Sequence, residues 1–326
     1  MILAGDIGGT KTLLALFDDG APRFERRYRS GEFASFDAVL ERLLDDAKAE
    51  LGMKPVIDRG CLGVAGPVIG QRSDVTHLPW TLDADRLAER FAIQRMALLN
   101  DFAASAHGID ALTREDVVTL QSGSLLPNAP RVLIGAGTGL GVAYLLHDGR
   151  QYRVFASEGG HTGFAPRDAR QNALWHTLHE AYGRVEAEHV VSGPGLERIY
   201  RHVRGLPPAA PARDTMKETP APESPAAIVR AALEQGELLA LEALDLFVDC
   251  YGAVAGDQAL NLVARGGVYV AGGVAPKILA RIVSGRFIAA FNDKGAFAEL
   301  TRSMPVHVVM NERLGLLGAA RVAASL

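Results

Sequence analysis

Apolar and polar positions along the chain follow two alternating periods. Short apolar runs that are typical of strands are separated by longer stretches in which apolar residues recur every three or four positions, as on one face of a helix. The clearest helical stretch spans 36–51, and Ser35 stands where it can cap the first turn. Strands are predicted at 60–65 and 96–99, with a helix at about 83–91 between them. This alternation predicts an α/β protein.

Two segments repeat the order strand, glycine-rich turn, strand. The first covers residues 1–17 and the second begins at Arg131. Because each opens one half of the chain, they predict two similar α/β domains facing a cleft. Farther on, a long helical pattern runs from about 227 to 263, a strand at 268–271 enters a glycine turn, and a terminal helix is predicted from Glu312.

Composition excludes several classes of protein. The 326 residues carry a formal net charge of −4, so there is no overall basic field to attract nucleic acid or an anionic membrane. No apolar run approaches the roughly 18 residues that would span a bilayer. Cys61 and Cys250 are the only cysteines, which excludes a disulfide framework and fits a reducing compartment. The first residues contain no signal-like segment before Asp6, so we expect a cytoplasmic protein with no nucleic-acid or membrane partner.

The segment 206–226 is rich in proline and alanine, and it predicts an exposed loop.

The first glycine cluster, Gly5-Asp-Ile-Gly-Gly-Thr, predicts a phosphate-binding hairpin. It is not a Walker-type loop, because Thr10 rather than glycine precedes Lys11 and a strand rather than a helix follows. Bare backbone N–H groups and the Thr10 hydroxyl can approach phosphate oxygens at such a tip. Asp6 could hold Mg²⁺, most naturally through water. The alternative is a tight hairpin that binds no ligand.

Two further glycine clusters follow in the second half. Glycine recurs at 135, 137, 139 and 141, and in extended chain these four positions share one face where a ligand could approach. The alternative is close strand packing, and a dinucleotide-binding motif does not fit the spacing. Gly272 and Gly273 end a strand before a helix, which is also a common strand-to-helix connection without a ligand.

Several polar residues have side chains that could take part in chemistry. Asp101 follows an apolar strand and opens a helix, where α/β sheets place their ligands, although it could equally cap that helix. Glu158 and His161 flank two glycines and suit hydrogen bonding to several hydroxyls, whereas a metal would need more ligands than lie nearby in the sequence. Residue chemistry alone does not single out Glu188.

Taken together, the motifs resemble those of the bacterial glucokinases, within the actin-like, sugar-kinase and Hsp70 ATPase superfamily. The similarity runs in order along nearly the whole chain and includes the closing Leu314-Gly-Leu-Leu-Gly. The motifs are Gly5-Asp-Ile-Gly-Gly-Thr, Asn100-Asp-Phe-Ala-Ala, Gly135-Ala-Gly-Thr-Gly-Leu-Gly, Glu158-Gly-Gly-His, Ser192-Gly-Pro-Gly-Leu and Ala271-Gly-Gly-Val.

The resemblance implies two actin-like (ribonuclease H-like) domains flanking a nucleotide- and sugar-binding cleft, one of 1–109 plus 312–326 and one of 110–311. It implies a cytoplasmic homodimer that uses ATP and Mg²⁺ to phosphorylate D-glucose at the 6-hydroxyl, the first step of glycolysis. Asp101 would be the catalytic base. The implied sugar contacts are Asn100, Asp101, Glu158, His161 and Glu188. The implied nucleotide contacts are Gly5, Asp6, Ile7, Gly8, Gly9, Thr10, Gly137, Thr138, Gly139, Gly272 and Gly273.

A related family of kinases and repressors shares the Glu-x-Gly-His element but carries a cysteine-rich zinc site. Because this chain has no such cysteines, His161 is interpreted here as a sugar contact rather than as a zinc ligand.

Three alternatives remain at this point. The chain could be a kinase for another hexose, since hexoses differ by the placement of one hydroxyl. It could be a non-catalytic sugar-sensing protein of the same fold, which would not need Asp101. It could also be an ATPase that acts on a protein partner, which would leave Glu158 and His161 without a role.

Overall fold

The computed structural model describes residues 1–76, 78–208 and 224–326. The strands are β1 (Ile2–Ile7), β2 (Lys11–Asp18), β3 (Ala21–Arg29), β4 (Arg59–Val64), β5 (Arg72–Asp74), β6 (Thr81–Asp83), β7 (Arg95–Asn100), β8 (Val117–Gln121), β9 (Arg131–Ala136), β10 (Leu140–His147), β11 (Tyr152–Ser157), β12 (Val268–Ala271) and β13 (Val306–Val309). The α-helices are α1 (Phe36–Leu51), α2 (Ala84–Phe91), α3 (Asp101–Gly108), α4 (Ala169–Tyr182), α5 (Ala187–Val190), α6 (Gly193–Val203), α7 (Pro225–Leu233), α8 (Leu238–Leu262), α9 (Leu279–Ile282), α10 (Arg286–Asn292), α11 (Ala298–Arg302) and α12 (Leu314–Ser325). The predicted α/β class is confirmed.

The chain forms two compact units, unit 1 (Met1–Thr113 with Asn311–Leu326) and unit 2 (Arg114–Met310). The main sheet of unit 1 has the order β3-β2-β1-β4-β7, and that of unit 2 has the order β11-β10-β9-β12-β13-β8. In both sheets, each of the first three strands of the order runs antiparallel to the strand beside it in that group. The fourth and fifth strands run parallel to the third. The two units therefore share one topology, and unit 2 adds β8 at its edge.

The sheet of unit 1 is covered by helices on both faces, so its strands are apolar on both sides. One face packs with α1 and α2 into a core that includes Leu3, Leu14, Leu62, Phe36, Leu40 and Leu87. The opposite face packs with α12, through Ala4, Ala15, Cys61, Leu316, Ala319 and Ala323. Small residues on that second face let the terminal helix approach the sheet closely.

Helix α8 forms the centre of unit 2. Residues 246–256 of this helix are all buried, as expected for a helix that is packed on every side. Its Tyr251 hydroxyl accepts a hydrogen bond from the amide of Ala136 at 3.1 Å and donates one to the carbonyl of Ala271 at 3.4 Å. The helix thereby fixes the ends of β9 and β12, immediately before the two glycine turns of this unit.

Most predicted elements are confirmed, and one predicted helical stretch is divided in two. Helix α1 spans 36–51 with Ser35 as its cap, and the terminal helix begins at Leu314, two residues later than predicted. The helical pattern over 227–263 forms two helices, because Gly236 adopts a φ of +66° between α7 and α8. Most of the predicted exposed loop at 206–226 lies at residues 209–223, outside the described residues. No helix in the described ranges is long and apolar enough to cross a membrane.

Candidate active site

The β1–β2 hairpin of unit 1 has a tip made of Gly8, Gly9 and Thr10. The amide of Gly8 donates to the carbonyl of Lys11 at 2.9 Å and closes the turn. Ser30 supports the tip from below, since its amide donates to the carbonyl of Thr10 at 3.0 Å and its hydroxyl to that of Gly8 at 2.8 Å. A fixed turn of small residues is suited to presenting backbone N–H groups to an anion.

Two of the predicted nucleotide contacts lie inside the sheet rather than at this tip. Gly5 is in the middle of β1, where a Cβ would lie 2.5 Å from Leu62 Cδ2, so packing alone explains its glycine. The side chain of Ile7 is fully buried in the core, which leaves only its backbone to face a ligand.

Asp6 and Asp101 lie at one edge of the unit 1 sheet. Asp6 is near the end of β1, and Asp101 follows β7, with β4 running parallel to both strands between them. Burial, together with the charge of Asp101, raises the pKa of Asp6 to about 6, and the charge of Arg27 opposes this rise. Burial also raises the pKa of Asp101, against the hydrogen bond that its Oδ1 accepts from the Phe102 amide at 2.8 Å. Two partly desolvated carboxylates at a sheet edge are typical of a catalytic site.

Asn100, not Asp101, is the cap of helix α3. Its Oδ1 accepts from the amides of Phe102 and Ala103 at 3.0 and 3.3 Å, and its Nδ2 donates to the carbonyl of Gly66 at 3.2 Å. The interpretation of Asp101 as the cap is therefore wrong, because the preceding residue already has the non-helical backbone and the side-chain acceptor that a cap requires. Asp101 is held at the first position of the helix, where its carboxylate can serve another role.

The second glycine cluster is a hairpin, so its four glycines do not share one face of a strand as predicted. Gly135 and Gly141 are directly paired across β9 and β10, while Gly137 and Gly139 lie in the turn between them. The amide of Gly137 donates to the carbonyl of Gly139 at 2.8 Å, and the amide of Gly193 donates to the carbonyl of Gly137 at 2.8 Å. The start of α6 thus supports the turn that carries Gly137, Thr138 and Gly139.

The third glycine cluster packs against the second. Gly272 follows β12 with a φ of +82°, and a Cβ there would collide with the carbonyl of Ala136. The amide of Val274 donates to the same carbonyl at 3.1 Å. Nothing lies within 4 Å of a Cβ at Gly137 or Gly273, so the surface beside both turns is open within unit 2. Close approach to β9, rather than a ligand, explains the glycine at 272.

Glu158, His161 and Glu188 surround the end of β10 in unit 2. Glu188 Oε2 accepts from the amide of Leu140 at 2.8 Å, just after the glycine turn. The Glu158 side chain is 91% exposed, and its Oε2 lies 3.8 Å from His161 Nε2. Three polar side chains beside a phosphate-type turn fit the predicted contacts to sugar hydroxyls.

Several residues of these sites were not singled out from the sequence. Glu186 accepts from His161 Nδ1 at 2.8 Å, and no signal in a 25-residue separation predicts this pair. In unit 1, Lys11, Arg27 and Glu312 line a cavity together with Asp6. Ser30 is separated from the tip that it supports by the whole of β2 and β3. Only the paired strands bring these residues together.

The residues near Asp6 suit a magnesium ion that keeps most of its water. No group of three or more histidine, cysteine, aspartate or glutamate side chains within the described residues could hold a metal. Mg²⁺ is usually bound by one or two carboxylates together with water and substrate phosphates, rather than by a cage of protein ligands. On its own, the Asp6 carboxyl group ionises less readily than an exposed aspartate, and a bound cation would stabilise its ionised form.

Comparison with known proteins covers the whole chain. The family model described as glucokinase matches residues 3–326. A curated glucokinase from Nostoc sp. is 40% identical over 344 aligned positions, which cover 100% of this chain and 99% of the relative. The similarity therefore includes both units and every motif described above.

Solved structures give the same result at the level of the fold. The glucokinase from an Antarctic psychrotroph is 29% identical, with a TM-score of 0.84 over 100% of this chain and 99% of the other. A ROK family glucokinase from Streptomyces griseus, solved in complex with glucose and AMPPNP, is 19% identical, with a TM-score of 0.62 over 100% of this chain and 99% of the other. The second likeness shows the fold alone.

Proposed function

Because the chain belongs to the glucokinase family, we propose that it transfers the γ-phosphoryl group of ATP to the 6-hydroxyl of D-glucose. The observation that carries the proposal is the pair Asp6 and Asp101 at one sheet edge, beside the Gly8–Thr10 tip. A glucokinase needs a base for the attacking hydroxyl and a site for phosphate and metal, and this edge offers both.

Asp101 is the proposed base. The 6-hydroxyl gives its proton to a carboxylate oxygen of Asp101 while the hydroxyl oxygen bonds to the γ-phosphorus and the bond to the β-phosphate oxygen breaks, releasing ADP. Burial raises the pKa of Asp101, which makes it a better proton acceptor than an exposed aspartate as long as it is ionised. The hydrogen bond from the Phe102 amide keeps the carboxylate in place.

The glycine turns are the proposed contacts to the nucleotide. The backbone N–H groups at Gly8–Thr10 and Gly137–Gly139, with the Thr10 and Thr138 hydroxyls, suit phosphate oxygens, and Gly272–Gly273 suits the adenosine. Magnesium would be held by Asp6 through water, and it supplies charge neutralisation for the phosphate oxygens. Charge stabilisation of this kind accounts for most of the acceleration in phosphoryl transfer.

The polar groups of both units are the proposed contacts to the sugar. Carboxylates accept hydrogen bonds from hydroxyls, and Glu158 and Glu188 would act in this way. His161 can donate, and Asn100 offers an amide that also caps α3. The proposal assigns the 1–109 and 312–326 segments to one domain and 110–311 to the other.

Replacing Asp101 tests the base directly. We expect Asp101→Asn to bind glucose with nearly unchanged affinity and to lose about 10²–10⁴-fold in kcat, because the amide cannot accept the proton. Coupled ADP-release kinetics and calorimetric glucose binding give the two quantities. Asp45→Asn, an exposed aspartate on α1, is the matched control. A kcat within a few-fold of the unmodified enzyme would remove Asp101 from this role.

The sugar and the donor need their own assay. We expect glucose to be phosphorylated with the highest kcat/KM in a panel that includes mannose, fructose and N-acetylglucosamine, and ATP to exceed ADP and polyphosphate as donor. ATP hydrolysis that proceeds equally well without any sugar would instead favour an ATPase acting on a protein partner.

The proposal extends to the cell and the assembly. Glucose 6-phosphate formation as the first step of glycolysis fits a cytoplasmic enzyme, and two buried unpaired cysteines, Cys61 and Cys250, fit a reducing compartment. A homodimer follows from the family resemblance. Light scattering at micromolar concentration would give a mass near twice the 34.7 kDa of one chain.

A further inference from the structure

His161 is fixed by one hydrogen bond that determines where its proton sits. Its Nδ1 lies 2.8 Å from Glu186 Oε2. An ionised carboxylate can only accept, so Nδ1 must carry the hydrogen. Nε2 forms no hydrogen bond within the described residues and is therefore the ring atom left for a ligand, on a side chain that is 50% exposed.

Glu186 is itself held in place from both sides. Arg184 Nε lies 3.2 Å from Glu186 Oε1, and Arg184 Nη2 donates to the carbonyl of His161 at 2.9 Å. A β-bridge pairs Gly163 with Glu186, and the amide of Ala187 donates to the carbonyl of Thr162 at 2.9 Å. Main-chain and side-chain contacts thus join residues 161–163 to residues 184–187. The Glu186 side chain is only 23% exposed.

The charges that face His161 are mostly negative. The hydrogen bond to Glu186 raises the pKa of His161 above its ordinary value of 6.5, and the charges of Glu188, Glu186 and Glu158 act in the same direction against partial burial. Of the basic groups nearby, His189 has a lowered pKa because of burial, and its Nδ1 accepts from the Glu186 amide at 3.3 Å, so it is neutral. Arg184 is paired with Glu186 itself.

We propose that Glu186 is a positioning residue that holds His161 as a doubly protonated ring, whose Nε2–H donates to a hydroxyl oxygen of the sugar. The identity of the sugar rests on the proposed function, and the state of the ring does not. Glu158 and Glu188 accept hydrogen bonds only, so a cationic donor among them completes the recognition of a hydroxyl that both donates and accepts.

The proposal has a defined pH dependence. A histidine with a raised pKa keeps its second proton up to that pKa and loses it as the pH rises further. The contribution of His161 to sugar affinity is therefore complete well below pH 6.5, and it falls as the pH rises through the raised pKa of His161. Removing the Glu186 charge moves this loss to lower pH.

The first test measures the ring and needs no activity. NMR spectra of protein with isotope-labelled histidine give the pKa and tautomer of His161, with His161→Gln used to assign its signal. We expect a pKa above 6.5, a neutral form protonated on Nδ1, and a lower pKa in Glu186→Gln. A neutral form protonated on Nε2 in the unmodified protein, or a pKa that Glu186→Gln leaves unchanged, overturns the proposal even if another variant fails to fold.

The second test measures binding. At a pH between the His161 pKa values that the NMR titration gives for the two proteins, we expect Glu186→Gln to raise KM for glucose roughly tenfold, the loss of about one charge-assisted hydrogen bond, while kcat and KM for ATP change less than about threefold. Glu186→Asp should recover part of the affinity, and Glu180→Gln, an exposed glutamate on α4, is the control. A fall in kcat with an unchanged KM, or an equal effect of Glu180→Gln, contradicts the proposal.

The two tests separate this inference from the proposed function. If the unmodified enzyme does not phosphorylate glucose, the proposed function fails, and the NMR titration still decides the state of His161. If glucose is phosphorylated but the titration or the KM shift is missing, the Glu186 inference fails alone.

Discussion

At the scale of single residues, the acidic groups of unit 1 sit where charge is costly. Asp6 has a pKa near 6 because burial and the neighbouring Asp101 both disfavour its ionised form. At neutral pH the native protein must nevertheless ionise it, while the unfolded chain does so in water without this cost. The site therefore reduces stability when no cation is bound.

Replacing Asp6 should make the metal-free protein more stable. We expect Asp6→Asn to raise the free energy of unfolding by up to about 3 kcal/mol at pH 7.5, since a rise from 3.8 to about 6 is worth about 1.4 kcal/mol per unit. The gain should shrink as the pH falls below 6 and disappear below about pH 4, where Asp6 is protonated in the unfolded chain as well as in the native protein. Urea denaturation in EDTA at several pH values measures this.

Asp45→Asn serves as the control for Asp6→Asn, because Asp45 is exposed on α1. A loss of stability in Asp6→Asn at pH 7.5, or a gain that does not depend on pH, would mean that Asp6 is stabilised by contacts rather than penalised by burial.

At the scale of elements, the β1–β2 hairpin depends on a buried pair of hydroxyls. Ser30, which begins a short 3-10 helix after β3, donates to Gly8, so the 3.0 Å contact with Thr12 makes Thr12 the donor to Ser30. Both side chains are fully buried. The tip that we propose for phosphate is therefore positioned by a segment that follows it by about twenty residues.

Replacing Ser30 should weaken nucleotide binding more than sugar binding. We expect Ser30→Ala to raise KM for ATP several-fold with little change in KM for glucose, and to cost about 1–3 kcal/mol of stability because the Thr12 hydroxyl is left buried without its acceptor. Initial-rate kinetics and denaturant unfolding measure both quantities. Ser73→Ala is the control, since the Ser73 hydroxyl is buried and has no hydrogen-bond partner in the described part of the chain. Equal losses in the two variants would contradict this role for Ser30.

The elements were largely predictable, and the contacts between them were not. Periodicity and Ser35 were enough for α1, because local apolar spacing and a cap determine a helix. The strand, glycine turn, strand order predicted the hairpin that begins at Arg131, whereas the one strand face suggested by the alternating glycines was wrong, because Gly137 and Gly139 lie in the turn. The His161–Glu186 pair depends on a bridge between distant segments. Long-range pairing of this kind is set by the sheet and the loops that it positions.

The candidate site divides in the same way. Motif chemistry was sufficient to single out Asp6, Asp101 and His161, whereas the hydrogen bonds of Asn100 were needed to exclude Asp101 as the helix cap. Glu188 had no distinguishing chemistry in the sequence, and its position beside the glycine turn became visible only from the hydrogen bond that it accepts from the amide of Leu140.

At the scale of the whole molecule, each unit has a core of its own. Unit 2 packs around α8, and unit 1 has helices on both faces of its sheet. One of those helices, α12, belongs to the end of the chain, and Leu316 is fully buried with Ala4 and Cys61. The β1 strand that carries Asp6 is therefore stabilised by residues that lie more than 300 positions away.

A cavity made in the core of one unit should destabilise mainly that unit. We expect Leu316→Ala to cost about 2–5 kcal/mol and to lower hydrogen-exchange protection in β1, β4 and α3, with a smaller effect in unit 2. Leu244→Ala, at a fully buried position of α8, should show the reverse pattern. Uniform loss of protection across both units in both variants would mean that the chain unfolds as one cooperative body.

The return of the chain from unit 2 to α12 has a consequence for how the protein is made. A ribosome completes residues 114–310 before it reaches the helix that covers the second face of the first sheet. Unit 2 can gather all its own residues while synthesis continues, but unit 1 must wait with one face of β1 uncovered. The side chain of Asp6 thus reaches its final surroundings only after α12 has left the ribosome, because a Cβ at Gly315 would lie 3.1 Å from Asp6 Cγ.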